Sequence, residues 1–425
     1  MLVAVDAVVA QAAPPRGVIK HVVFVIQENR SFDNLFNGFP AADTVTSGPR
    51  HDDSVVALHQ TSLNAPVDLD HARQSFLNSY NGGRMNGFDT IGTVPPQGTG
   101  DFPYAYVPQS ETKPYWDLAR QFSLADRTFA SVGGPSFPAH QYLIAGTTGR
   151  AIDNPNRTAA DVFWWGCDSP AGTTVREIGR DGRADGPPVF PCFDYRTLAD
   201  VMDARGVSWR SYAPTANDLG SIWSAFDAIH HIRYGPDWNA NVVTPQTRVI
   251  TDIAAGALPA VSWVTPDFRS SDHEQYGIGG RPQPSRTDLG PQWVATVVNA
   301  IGRGPLWADT VVIVVWDDWG GWYDHVRPSQ LDAMGLGFRV PMIVISAYAK
   351  HGYVSHVQHE FGSLLKFAEG VFDLPSLGTT DARADDLSDC FDFTKPPAPY
   401  VAVSTAMTAA DFLAMPPSNV PPDDD

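Results

Sequence analysis

Three short stretches of this chain carry residue types that can do chemistry. Glu28-Asn29-Arg30-Ser31-Phe32-Asp33 follows one apolar run, and Asp317-Asp318-Trp319-Gly320-Gly321-Trp322-Tyr323-Asp324-His325 follows another. Carboxylates with an amide oxygen make a hard, oxygen-rich site suited to a divalent cation. Neighbouring side chains on a regular strand point to opposite faces, so Asp317 and Asp318 can share an ion only if the strand stops there. Gly320-Gly321 is what lets the backbone turn. Either stretch alone reads first as a solvated loop or a helix cap. Two of them at two strand ends point to a metal site, because a cluster of uncompensated acids is costly. The third stretch is Gly133-Gly134-Pro135-Ser136-Phe137-Pro138-Ala139-His140, with Ser136 in a tight Gly/Pro turn and Pro138 placed to open a helix. The N–H groups and positive dipole end of a helix N-terminus suit a phosphate, and against a metal such a serine could act as nucleophile. Taken alone, Ser136 reads first as a plain N-cap, worth about 1 kcal/mol.

The elements that must position these stretches alternate along the chain. IKHVVFVI (19–26) and TVVIVVW (310–316) read as buried strands, short and β-branched, with further strands at 207–212, 259–264 and 340–346. Helical spacing marks 115–122, 142–145, 197–205, 291–302 and 361–371. Such alternation predicts an α/β fold, a three-layer sandwich with a largely parallel central sheet. Ligands of such sheets bind beyond the carboxyl ends of the strands, where the first two stretches fall.

Composition narrows the class. A chain of 425 residues can bury a large core, and 43% hydrophobic with 18% charged residues excludes a disordered protein. Lys and Arg number 29 against 47 Asp and Glu, a net charge of −18, which argues against nucleic acid or an anionic membrane as partner. Three cysteines exclude a disulfide scaffold. Cys167 and Cys192 flank a Gly- and Pro-rich stretch that they could staple in an exported protein, and Cys390 reads as a buried apolar residue. Residues 1–13 end in Ala10-Gln11-Ala12, the small-residue pattern of a secretory signal remnant, or else form a frayed arm. The expected location is secreted or periplasmic, otherwise cytoplasmic. No stretch offers the roughly 20 apolar residues of a membrane span, so no stable membrane insertion is expected. One main domain is expected over 14–393, with a loop-rich insertion at 151–241 and a Pro-rich acidic tail at 394–425.

IQENRSFDN, GPSFPAHQYLIAG, TPDFRSSDH and VVWDDWGGWYDHV, in that order, resemble the bacterial phosphoesterase family that includes non-specific phospholipases C and acid phosphatases of the A type. The similarity runs over about 18–393 and takes in RVPMIVISAYAK and VSH. The resemblance implies an alkaline-phosphatase-like fold. It implies that Glu28, Asn29, Ser136, Asp317 and Asp318 surround one divalent metal, with Ser136 as the nucleophile. Oxygen ligands allow Mg²⁺, Ca²⁺ or Mn²⁺, and a histidine in the shell admits Zn²⁺. Phospholipase-type members more often carry Thr at the nucleophile position and Asp-Glu as the acidic pair, so Ser with Asp-Asp leans towards the phosphatase type. The family's Asn after the turn's second proline is Ala139 here, which leaves the nucleophile untouched.

The resemblance also gives catalytic roles to His71, His231 and His273. Asn29, His230 and His325 are expected at the substrate, with His325 alternatively behind an acidic ligand. The reaction implied is a two-step hydrolysis of a small phosphoester or phospholipid through a phosphorylated Ser136. A phospholipase C would need an apolar lip or an aromatic pocket, for which Trp164, Trp165, Trp223, Trp238, Trp319 and Trp322 are candidates, although aromatic residues are more often core. Two alternatives stay open. A sulfatase or another alkaline-phosphatase-like hydrolase would share sheet and metal, but its C/S-x-P-x-R turn needs an Arg that Ser136–His140 lacks. The other is a non-catalytic binding protein of the same fold.

Overall fold

Two apolar runs form the centre of the molecule. The computed structural model describes residues 16–65, 67–94, 98–156, 164–179, 186–216, 218–273 and 288–417. The signal remnant expected at 1–13 and the Asp423–Asp425 end of the tail lie outside the described residues.

Eight strands form the main sheet: β1 (His21–Gln27), β2 (Ser123–Ala125), β3 (Trp209–Tyr212), β4 (Val242–Val243), β5 (Val261–Val264), β6 (Thr310–Trp316), β7 (Met342–Ser346) and β8 (Tyr353–Ser355). Their order is β4-β3-β5-β1-β6-β7-β2-β8. Every neighbouring pair is parallel except the two that β7 makes, with β6 and β2. All of β6 and all of β1 after His21 is buried. Near-continuous Val and Ile runs are the mark of strands covered on both faces.

The covering helices are α1 (Lys113–Gln121), α2 (Ser136–Ala145), α3 (Leu198–Asp203), α4 (Arg248–Ala254), α5 (Leu289–Gly302) and α6 (Phe361–Phe372). Helices α1 and α4 pack on α5, while α3 and α6 pack on α2. The result is the expected three-layer α/β sandwich with a largely parallel sheet. Helix α2 begins six residues before the span expected at 142–145, because Pro138 sits inside its first turn rather than before it. The edge strands β4 and β8 and the short strand β2 inside the latter lack any sequence signal, because two or three residues show no periodicity.

Two expectations about organisation change. The stretch 151–241 is not simply an insertion, since it supplies α3 and β3 to the sandwich. Its earlier part forms a separate apolar cluster with Phe137, Trp165, Val175, Trp223 and Phe268, closed by a Cys167–Cys192 disulfide. The tail is strapped onto the sandwich as far as it is described. Trp307 Nε1 donates to Ala398 O at 2.8 Å, Asn299 Nδ2 donates to Val403 O at 2.9 Å, and the Phe412 ring meets Trp293 edge-on at 5.4 Å.

Phe412→Ala is expected to cost about 3 kcal/mol in urea unfolding, as removal of a core aromatic does; a frayed tail would show no change. A second expectation concerns pH. Glu369 on α6 is buried beside Asp381, and burial first, then repulsion from Asp381, push its carboxyl up to about 7. The folded state then binds this proton more tightly than the unfolded chain, whose value is 4.5. Its stabilising contribution is full below that value and fades as pH rises through about 7. Glu369→Gln should flatten the corresponding fall in melting temperature across this window.

Candidate active site

Strands β1 and β6 pair residue for residue, from His21 against Thr310 to Gln27 against Trp316. Both end at one level, so Glu28 and Asp317 emerge side by side, and Asp317 N–H still donates to Gln27 O at 3.0 Å. Beyond this point both chains turn. Asn29 takes a left-handed φ of 60°, which Asn tolerates better than most residues, and its N–H donates to Asp317 Oδ1 at 3.0 Å. Gly320 has φ +58°, and a Cβ there would stand 2.1 Å from Asn29 O. Only glycine lets the two turns touch. Asp318 is folded back by the same turn and accepts from Gly320 N–H at 2.8 Å.

Ser136 is the first residue of α2, and Pro135, not Ser136, holds the cap position. The plain N-cap reading is therefore set aside. Its hydroxyl instead reaches Asn29 Oδ1 at 3.1 Å and Asp318 Oδ2 at 3.2 Å. Four residues on, and hence on the same helix face, lies His140. Its Nε2 stands 2.9 Å from Glu28 Oε1 and 3.5 Å from Asp317 Oδ2. His71 Nδ1 donates to Leu69 O at 2.7 Å, which turns Nε2 to accept from Asn29 Nδ2 at 3.2 Å; Asp318 Oδ2 is 3.9 Å away. All seven side chains are at most 2% exposed.

The cluster is short of positive charge. Burial lowers the His140 imidazole, but Glu28 and Asp317 outweigh it and lift the group to about 10. Burial, then repulsion from Asp317, pushes the Glu28 carboxyl well above its usual range. Burial would raise Asp317 too, yet His140 and the surrounding donors hold it down at about 2. Glu28 and Asp317 thus share the one His140 imidazolium. Glu28 Oε2 and Asp317 Oδ2 have no hydrogen-bond donor among the described residues. Orphaned oxygens and surplus negative charge at one point fit a divalent cation.

The structure brings Glu28, Asn29, Ser136, Asp317, Asp318 and His71 into one network. His273 lies near its edge, two residues after Ser271, whose carbonyl accepts from Glu28 N–H at 2.8 Å; its ring packs on Phe268 and Trp223. Three other expectations are corrected. His231 has both ring nitrogens on carboxylates, Nδ1 at 2.5 Å from Asp194 and Nε2 at 2.8 Å from Asp200, in a half-exposed bridge to the start of α3. His230 is exposed and meets the Tyr234 ring at 5.0 Å. His325 bridges Asp33 at 2.6 Å and Asp43 at 3.1 Å, so neither nitrogen is available to a substrate.

The second halves of the two acidic motifs interlock with each other. Arg339, fully buried, donates to Asp324 Oδ1 at 2.8 Å and Asp33 Oδ1 at 3.2 Å, and Ser31 Oγ donates to Tyr323 O at 2.7 Å. The residue that sequence reasoning missed is His140. Its signal was the spacing of four from Ser136, legible once the helix is known to start at Ser136. Of the tryptophans, Trp223, Trp319 and Trp322 are core. Trp164, Trp165 and Trp238, with Asp168, Asp227 and Arg233, line a cavity of about 210 Å³. Trp165 meets Phe137, next to Ser136, edge-on at 5.8 Å. Among the described residues no helix is long and apolar enough to cross a membrane.

The profile of the phosphoesterase family matches residues 19–375. Phospholipase C A of Mycobacterium tuberculosis is 27% identical over 89% of this chain and 78% of its own length. The non-hemolytic phospholipase C of Pseudomonas aeruginosa is 24% identical over 89% of this chain and 58% of its own. Non-specific phospholipase C3 of Arabidopsis thaliana is 23% identical over 88% and 75%. Among solved structures, an alkaline phosphatase superfamily protein from Vibrio parahaemolyticus superposes with a TM-score of 0.42 at 12% identity, over 91% of this chain and 72% of that one.

Gly320→Ala is expected to destabilise the protein by about 2 kcal/mol from the left-handed backbone alone, and by more where Asn29 O is displaced. Denaturant unfolding checks the first effect, and loss of phosphoesterase turnover checks the second.

Proposed function

Because this chain belongs to the phosphoesterase family and is a phosphoric ester hydrolase, we propose that Ser136 is its nucleophile and that hydrolysis is metal-dependent, through a phosphorylated serine. The observation that carries this reading is the Ser136 hydroxyl held between Asn29 Oδ1 and Asp318 Oδ2 at the first turn of α2. Glu28, Asn29, Asp317 and Asp318 would hold one divalent ion beside Ser136, supplying positive charge to the phosphoryl oxygens and favouring the serine alkoxide.

The chain's own residues do the rest. Asp318 Oδ2 accepts the Ser136 proton, and Oγ forms the new bond to phosphorus while the bond to the leaving oxygen breaks. The leaving alcohol takes its proton from water, while His71, its Nδ1 proton held by Leu69 O, accepts from Asn29 Nδ2 and fixes that amide beside the nucleophile. Water then attacks the phosphoserine, and Ser136 regains its proton. Asn29 positions both partners, its carbonyl oxygen facing Ser136 and its amide nitrogen facing His71. His140 keeps Glu28 and Asp317 together before any ion arrives.

Phosphate monoesters need only this pocket. The Trp-lined cavity favours a second substrate class, a diester with a cationic headgroup. Trp164 and Trp165 line it as aromatic surfaces for a quaternary ammonium, whereas the Trp238 ring is already covered by the Arg233 guanidinium at 4.5 Å, itself paired with Asp168 and Asp227. The relatives named phospholipase C support that class. Export to an oxidising compartment is supported by the Cys167–Cys192 bridge.

One comparison tests the reading: release from a p-nitrophenyl phosphomonoester and from its phosphocholine diester, with and without chelator. Ser136→Ala should lower turnover of whichever ester is cleaved on the order of a thousandfold or more, with an unchanged melting temperature. Chelator should abolish wild-type turnover. An alanine variant that retained a tenth of the activity (about 1.4 kcal/mol of barrier) would remove Ser136 as nucleophile.

A further inference from the structure

At the edge of the sheet where β8 ends, polar side chains from three segments meet, and none of them belongs to the Ser136 network. His359 precedes α6, Ser355 closes β8, and Asp389 and Cys390 lie in the single turn Ser388–Cys390. His359 and Cys390 are fully buried, and the Asp389 side chain is 21% exposed. His359 Nδ1 donates to Asp385 Oδ1 at 2.8 Å, which turns Nε2 towards the other three groups. Ser355 Oγ gives its one proton to Asp389 and so accepts from Nε2–H at 3.0 Å, a proton that a bound ion would displace to solvent.

The ligand atoms of His359, Asp389 and Cys390 lie within 4.8 Å of one another, close enough to share one ion. Asp389 Oδ1 lies 3.7 Å from His359 Nε2 and 3.7 Å from Cys390 Sγ. The first is long for a hydrogen bond, and the second is a weak S–H···O contact. With metal bonds of about 2.0–2.3 Å to N, O and S, the ligand atoms of a tetrahedron stand about 3.4–3.7 Å apart. One imidazole, one carboxylate and one thiol, with a carboxylate orienting the ring from behind, is a donor set for a borderline-soft ion rather than for Mg²⁺ or Ca²⁺.

We propose that His359, Asp389 and Cys390 form a structural site for a zinc-class divalent cation, oriented by Asp385 and separate from the catalytic centre. On binding, metal–N, metal–O and metal–S bonds form, and the Cys390 thiol proton and the His359 Nε2 proton leave to solvent. Ser355 Oγ or a water completes the shell. The ion would tie the start of α6 and the edge strand to the chain that leads into the tail. Cys390 is already a junction there, its carbonyl accepting from Lys350 N–H and Ser123 Oγ, each at 2.9 Å.

The cysteine inventory makes the test clean. Of three cysteines, Cys167 and Cys192 are bridged, so only Cys390 can give a thiolate–metal band. Titrating the metal-free protein with Co²⁺ should raise a sulfur-to-cobalt charge-transfer band in the near ultraviolet, complete at one equivalent for this site and bleached by Zn²⁺. The band should persist in Asp318→Asn and vanish in Cys390→Ser and His359→Gln. Wild-type protein that binds Co²⁺ without the band overturns the proposal, independently of how any variant folds. So does a band that survives in folded His359→Gln.

Discussion

Burying like charges without compensation is the condition this molecule is built around. Glu28, Asp317 and Asp318 have no exposed surface; the His140 imidazole contacts the first two, and His71 Nε2 stands 3.9 Å from the third. Such a cluster would fly apart or take up protons unless its backbone were held by other means. Much of the surrounding structure supplies that restraint. The in-register pairing of β1 and β6 fixes the level at which the acids emerge. The contact of Gly320 with Asn29 O fixes the turn between them. Arg339, shared between Asp33 and Asp324, joins the same two loops a few residues further out, where its own charge is fully matched.

The two acidic motifs therefore divide their labour along their length. The residues next to the strand ends face the Ser136 hydroxyl, and those further along hold the loops to each other. Arg30 shows the same economy. Its guanidinium donates to Asp272 O and Leu63 O, so it locks two backbone segments beside the site rather than meeting a phosphate. The net charge of −18 is consistent with this design. Part of the acid is structural, part is matched within the fold, and part is held ready for a cation the chain does not encode.

What could be read beforehand followed from strong local signals. Six consecutive apolar residues, all but one of them β-branched, mark a buried strand, so β6 was legible to the residue, and β1 nearly so. The loops after them stood out because acids and glycines at a strand end have few other uses. His140 was hidden by Pro138, which suggested a helix starting too late to place His140 one turn above Ser136. His231 and His325 were over-read for the opposite reason. A histidine beside an aspartate looks the same in sequence whether it serves a substrate or, as here, bridges two carboxylates. The strap of 394–417 was illegible because prolines and isolated aromatics bury themselves only against a surface, α5, that lies a hundred residues away in the chain.

The reversed direction of β7 has a geometric consequence. A parallel neighbour would oblige the chain leaving β6 to travel back across the sheet before entering the next strand. Because β7 runs the other way, the chain stays at the carboxyl edge through the whole of 317–341. The acidic pair, the glycine turn, Asp324 and Arg339 are all set within that one uninterrupted excursion. Length can be added to or trimmed from it without altering the path of any strand. The inversion thus frees the rim above Ser136 to be reshaped while the frame beneath it stays as it is.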